Sequence, residues 1–232
     1  MAKWMKKNWI NFFVGIALCG GLCLLLYPTV SDWWNKLHQS MAITSYAQTA
    51  EGMSEEEIAA YLAAAEEYNQ SLLAKEGRFK LTEEEQEEYR SLLDVTGTGI
   101  MGYVEIPAIH VSLPIYHSTD EAVLQVASGH IAGSSLPVGG ESTHAVISGH
   151  TGLPSARLFT DLDKLSEGDT FTITVLNRSM TYQVDQIRTV LPEDVSELTI
   201  AYGADYCTLQ TCTPYGVNSH RLLVRGKRIE AP

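Results

Sequence analysis

The sequence predicts a mainly β domain carried behind a helical segment and a transmembrane helix. Three observations point there. An uncharged apolar run, Ile10 to Tyr27, lies near the N-terminus. Glutamate-rich stretches whose apolar residues recur at helical spacing follow it. From Gly99 onward the apolar residues alternate in short runs separated by turn residues, as strands require.

The anchor comes first. Ile10 to Tyr27 would span about 27 Å as a helix, close to the hydrocarbon thickness of a bilayer. Lys3, Lys6 and Lys7 precede it, and Trp4, Trp9, Tyr27, Trp33 and Trp34 flank it as interfacial aromatics do. The lysines predict a cytosolic N-terminus and an outward-facing remainder. A cleaved signal peptide competes with this reading, but Ser45 and Ala47, the small residues available for cleavage, lie far beyond the apolar run. Phe12 to Leu26 is apolar on every face, so a helix lying on the membrane surface is not expected.

Two helices should follow. Ser54 with Glu57 forms a capping box, and Ile58, Tyr61, Leu62, Ala65, Asn69, Leu72 and Leu73 continue at helical spacing. Thr82 with Glu85 repeats the signal before Tyr89, Leu92 and Leu93. Lys75 to Lys80, which contains Gly77, should be the loop between them. Much of the acidic excess falls between Glu51 and Asp94 and reads as solvated helix surface. The net charge of −12 argues against nucleic acid as a partner.

The predicted strands are Ile100–Ile106, His110–Tyr116, His144–Ser148, Thr170–Leu176, Met180–Val190, Tyr206–Cys212 and Arg221–Arg228, with a short helix over Glu121 to Ser128. Many short strands at this spacing mean an antiparallel barrel or sandwich; patterning leaves both open.

The four cysteines make no disulfide framework. Cys19 and Cys23 sit in the apolar run. Cys207 and Cys212 would lie about 16 Å apart on opposite faces of one strand, and a bridge needs Cα atoms within about 7 Å. Cys212 should therefore be free, and Cys207 part of the core.

Cys212 stands where Thr208-Leu209-Gln210-Thr211-Cys212 gives way to a loop, Thr213 to Ser219, rich in turn residues. Arg221 opens the next strand. Such a hairpin brings a thiol beside a guanidinium, and a permanent cation favours the thiolate, the form that attacks carbonyls. His150 ends another apolar run after Gly149, at a strand end where loops present catalytic groups. Among the seven histidines, His130 also follows a glycine and is the rival. Arg225 shares the face of Arg221 but lies farther from the turn; His110, His117, His144 and His220 read as structural or surface. A zinc site from His130, His144, His150 and a cysteine was weighed, but the spacings match no common ligand pair. No cofactor is expected, and a papain-like hydrolase lacks its characteristic cysteine context here.

Thr-Leu-x-Thr-Cys with the downstream Arg221 and the upstream Gly149-His150 resembles the sortases, cysteine transpeptidases of Gram-positive cell surfaces. The resemblance is closest to the class C, pilin-polymerising branch. It runs through Met101 to Pro107, Leu113 to His117, Ser135 to Gly140, Gly149 to Pro154, Thr211 to Asn218 and His220 to Gly226. It implies an eight-stranded β-barrel with Cys212 as nucleophile, His150 as general acid and base, and Arg221 holding the oxyanion. Thr211 is expected at the substrate, although alternation turns it away from Cys212. The implied partners are pilins or surface proteins carrying a Leu-Pro-x-Thr-Gly-like signal, with a pilin lysine as acceptor. Two alternatives remain: a housekeeping enzyme joining proteins to a peptidoglycan precursor, and a non-catalytic pilus-assembly scaffold. The branch's Asp-Pro-aromatic lid is absent; Gly77-Arg78-Phe79 is the nearest substitute and makes Phe79 the candidate lid. The chain ends at Pro232 without the second membrane segment common in that branch, so one span is expected. The expected organisation is 1–39 N-terminus and anchor, 40–98 acidic helices, and 99–232 catalytic barrel.

Overall fold

Alternation from Ile100 onward builds eight strands that close on themselves. The computed structural model describes residues 2–229. It begins with one long helix, α1 (Ala2–Glu51), followed by α2 (Glu55–Ser71) and α3 (Glu83–Ser91). The strands are β1 (Ile100–Ile106), β2 (Val111–His117), β3 (Ser128–His130), β4 (Thr143–Ser148), β5 (Thr170–Val175), β6 (Arg178–Val190), β7 (Asp205–Thr213) and β8 (His220–Ile229). They form a closed barrel in the order β1-β2-β3-β4-β7-β8-β6-β5. Closure removes the exposed edges that a sandwich would have kept. Met101, Val104, Ile115, Ile147, Phe171, Leu209 and Val224 fill its interior.

Both capping boxes form as expected, Ser54 with Glu57 and Thr82 with Glu85. Gly77 turns the loop between the two helices at φ +63. Asn69, which interrupts the apolar stripe of α2, is buried for a reason. Its side chain donates to Leu136 O at 3.1 Å and accepts from Leu136 N at 2.6 Å, replacing a strand partner for that residue. Helix α1 is long and apolar enough to cross a membrane and runs unbroken through residues 39 and 40. Its far end docks on the barrel through Tyr46, whose hydroxyl donates to Met101 O at 2.8 Å and accepts from Leu176 N at 2.9 Å.

The strand bounds differ from expectation by one or two residues, which is ordinary fraying. One element was misread. The helix expected over Glu121 to Ser128 stops at Leu124 as a short α4 (Glu121–Leu124), and Ser128 to His130 form β3. That strand pairs in parallel with β2, Ile115 opposite Ser128. All three residues are buried, so no alternation could announce it.

Two histidines are sealed within this framework. His130 lies between α3 and the barrel; its Nε2–H donates to Ser135 O at 2.8 Å and its Nδ1 accepts from the Tyr89 hydroxyl at 2.9 Å. His144 donates from Nδ1 to Thr199 O at 2.9 Å and accepts from Thr208 Oγ1 at 2.7 Å. Burial pulls the first down to about 3 and the second to about 4. Both folded values lie below the ordinary value in an unfolded chain. As pH falls below that value the unfolded chain takes up protons that the folded rings refuse, and stability is lost. The loss should approach about 1.4 kcal/mol per pH unit for each ring. Urea midpoints should therefore drop steeply between about pH 7 and pH 4.5; a flat profile would contradict the neutral, buried assignment.

Candidate active site

The site is set by three neighbouring strands. In the antiparallel β7–β8 pair, Cys212 lies directly opposite Arg221 and Thr213 opposite His220. Opposed residues point to one face, with Cα atoms about 4.5–5.5 Å apart. On the other side of β7, β4 runs parallel, with Ser148 level with Gln210. His150 follows two residues after Ser148, just past the end of β4, and Cys212 two residues after Gln210. Thiol and guanidinium thus form a row across β7 and β8, with His150 at the exit of neighbouring β4.

That row is on the outside of the barrel. Leu222 and Val224 of β8 point into the core, whereas Leu223 joins Val146 and Leu198 in a separate outer cluster. Arg221 is two residues from Leu223 and shares its face. Cys212, His150 and Arg221 are each only partly buried.

The exit of β4 is pinned by hydrogen bonds. Gly149 N donates to Gln210 O at 3.0 Å, and Phe159 N donates to His150 O at 3.0 Å. Only glycine fits at 149, because an added Cβ would come within 2.6 Å of the Phe159 ring. Thr211, expected at the substrate, is buried, and its hydroxyl donates to Gly149 O at 2.7 Å. Its contact is with the backbone that leads to His150.

The rival residues are committed elsewhere. Arg225 makes two bonds to the Asp185 carboxylate, at 3.0 and 2.8 Å, and lies 4.2 Å over the Tyr206 ring. Arg221 instead donates to two backbone carbonyls, His220 O at 3.2 Å and Asn218 O at 3.4 Å. Among the described residues it has no carboxylate partner, so its charge is not neutralised. His130 is inaccessible to a substrate. Cys207 is fully buried, and burial pushes its thiol up.

Phe79 packs on the outer cluster of Val146, Leu198 and Leu223, the face of the barrel that also carries Cys212. Its loop is held by Arg78, which donates to Gly133 O at 2.8 Å and to Leu198 O, and stacks 4.5 Å over the Phe79 ring. Sequence reasoning missed Arg78 and Phe159. The first sat in a segment read only for its aromatic; nothing in the pattern singled out the second.

The chain matches the sortase domain family over residues 104–229. The chain belongs to the sortase family. Its barrel is similar to the crystal structure of sortase C1 from Streptococcus agalactiae, with 51% identity and a TM-score of 0.80 over 83% of this chain and 100% of that one. It is also similar to sortase C of Streptococcus pneumoniae, with 46% identity and a TM-score of 0.74 over 83% of this chain and 99% of that one. Among curated proteins, sortase A of Streptococcus agalactiae is 29% identical over 117 residues, which is 49% of this chain and 47% of that protein. The likeness to pilin-polymerising sortases of class C is strong, and sortases are cysteine transpeptidases.

Replacing Thr211 with valine keeps the shape and removes the donor to Gly149. The buried carbonyl left behind should lower unfolding stability by about 1–2 kcal/mol in urea titrations. A loss below a few tenths would mean water replaces the hydroxyl.

Proposed function

We propose that this chain is a membrane-anchored class C sortase that cuts a Leu-Pro-x-Thr-Gly-like signal and joins the fragment to a lysine amine of a pilin. Cys212 Sγ attacks the threonine carbonyl. Arg221 stabilises the oxyanion with donors whose charge never titrates away. The Thr–Gly bond breaks, and His150 gives its proton to the leaving amine. A thioester joins the fragment to Cys212. The lysine amine then attacks it, His150 accepts the amine proton, and the thiolate leaves as an isopeptide bond forms.

The observation that carries this reading is the register. Cys212 stands opposite Arg221, and His150 stands at the exit of neighbouring β4, on an outer, partly exposed face. The uncommitted charge of Arg221 adds support, since a guanidinium paired with a carboxylate would be poor at binding a developing anion. The apolar α1 supports an anchor that keeps the enzyme beside bilayer-tethered substrates, raising their effective concentration. The chain outside the membrane would face the cell exterior, as the lysines before the span predict.

The decisive assay offers a sorting-signal peptide with either a pilin lysine peptide or a cell-wall amine. A Cys212 thioester should be trapped by mass spectrometry, and product should form with the lysine peptide. Cys212→Ala should form none, and His150→Ala should lose about 10²–10⁴-fold in rate. No thioester in the wild type would leave only the scaffold reading, and preference for the cell-wall amine would favour the housekeeping one.

Phe79 is proposed as a plug resting beside the nucleophile in place of the missing Asp-Pro-aromatic lid. Phe79→Ala should speed alkylation of Cys212 by iodoacetamide; unchanged labelling would refute the plug.

A further inference from the structure

The connection from His150 to β5 is long and irregular, and its tip touches an element the reaction does not use. Residues 154–160 are a series of turns around the single bridge Leu153–Ala156, with Ala156, Leu158 and Phe159 buried and Arg157 exposed. Backbone groups that such turns leave unpaired need other partners. They find them on α1. Asn35 Nδ2 donates to Ser155 O at 2.8 Å, and Asp32 Oδ1 accepts from Arg157 N at 2.9 Å. Asp32 and Asn35 are three residues apart, hence on one face of the helix. Two side chains at helical spacing thus satisfy two backbone groups of this loop.

We infer that Asp32 and Asn35, at the point where α1 leaves the membrane, are positioning residues that hold the His150 loop in its working geometry. The chain of contacts is short. From the clamp at Ser155 and Arg157 it passes to Phe159, whose N–H donates to His150 O and whose ring lies against Gly149. On the other side, Gly152 lies against the Tyr215 ring of the loop that follows Cys212. The clamp therefore bears on the histidine through Phe159, and Gly152 carries the contact to the β7–β8 loop through Tyr215.

The contact is sparse enough for two hydrogen bonds to matter. Beside it lies an open cleft of about 620 Å³ between α1 and the barrel, lined by Asp32, Gln39, Ile43, Val111, Arg157 and Leu158 among others. The two oxygens of Asp32 are divided in use: Oδ1 serves the loop, and Oδ2 pairs with Lys36 at 2.8 Å. The clamp lies five residues beyond Tyr27, about 7.5 Å along the helix. Anchor and histidine are consequently coupled at the membrane surface. A catalytic domain cut free of residues 1–39 would lack both clamp residues.

The inference rests on the proposed transpeptidase reading for its kinetic arm alone. Full-length chain in nanodiscs is compared with Asp32→Asn, Asp32→Ala and Asn35→Asp. Asp32→Asn keeps an acceptor oxygen for Arg157 N but not the ion pair with Lys36. Asn35→Asp is nearly isosteric but turns a carboxylate toward the Ser155 carbonyl. For Asp32→Ala and Asn35→Asp, kcat should fall about ten-fold at unchanged peptide KM. Hydrogen exchange should quicken over residues 151–158, and iodoacetamide labelling of Cys212 should stay as in wild type. Asp32→Asn should keep wild-type kcat and exchange. Wild-type kcat and exchange in Asp32→Ala and Asn35→Asp would overturn the inference. So would an Asp32→Asn that behaves like Asp32→Ala, since the ion pair would then be the relevant contact. If wild type turned over no peptide, the transpeptidase reading would fail, and the exchange data alone would decide the clamp.

Discussion

The register of β7 between its two neighbours is the constraint on which the rest of the structure depends. One strand carries Cys212, the proposed nucleophile, and it is hydrogen-bonded on one side to the strand of Arg221 and on the other to the strand leading to His150. A slip of one residue against β8 would turn Cys212 into the core and Cys207 out of it. The slip is resisted by burial, because Cys207, Leu209 and Thr211 share the inward face with Leu222 and Val224 across the pair. Packing of the barrel interior thus sets the placement of a polar row on its exterior.

Charge is distributed to suit that row. Arg225, one pleat farther along β8 than Leu223, is held by Asp185 and Tyr206, while Arg221 bonds only to neutral carbonyls. Two of the other histidines are neutral by burial and spend their nitrogens on structural bonds. Cys212, His150 and Arg221 stay partly accessible on this face.

The helices do more than separate barrel from membrane. Helix α1 reaches the rest of the fold through Tyr46, through Gln39, which donates to Val126 O, and through Asp32 and Asn35 at the loop after His150. The loop between α2 and α3 packs on the outer cluster of Val146, Leu198 and Leu223, fastened by Arg78 to Gly133 and Leu198. Both attachments use side chains to satisfy backbone groups of irregular segments. Such segments are where a barrel leaves its hydrogen-bonding capacity unfilled.

Local signals in the sequence determined the elements themselves. Capping boxes at Ser54 and Thr82, alternation from Ile100, and the turn residues after Cys212 are encoded within a few residues of where they act. The motif around Cys212, with His150 and Arg221, was legible for the same reason, since a strand end and a turn can be read from neighbours in the chain. Tertiary structure alone decided closure into a barrel, the three-residue β3, and the turning of Thr211 toward Gly149. It alone also separated Arg221 from Arg225, and joined Asp32 and Asn35 to a loop some 120 residues away in sequence. Those outcomes rest on pairing between distant segments, whose partners are chosen by burial and hydrogen-bond satisfaction across the whole fold and leave no periodic trace in the residues concerned.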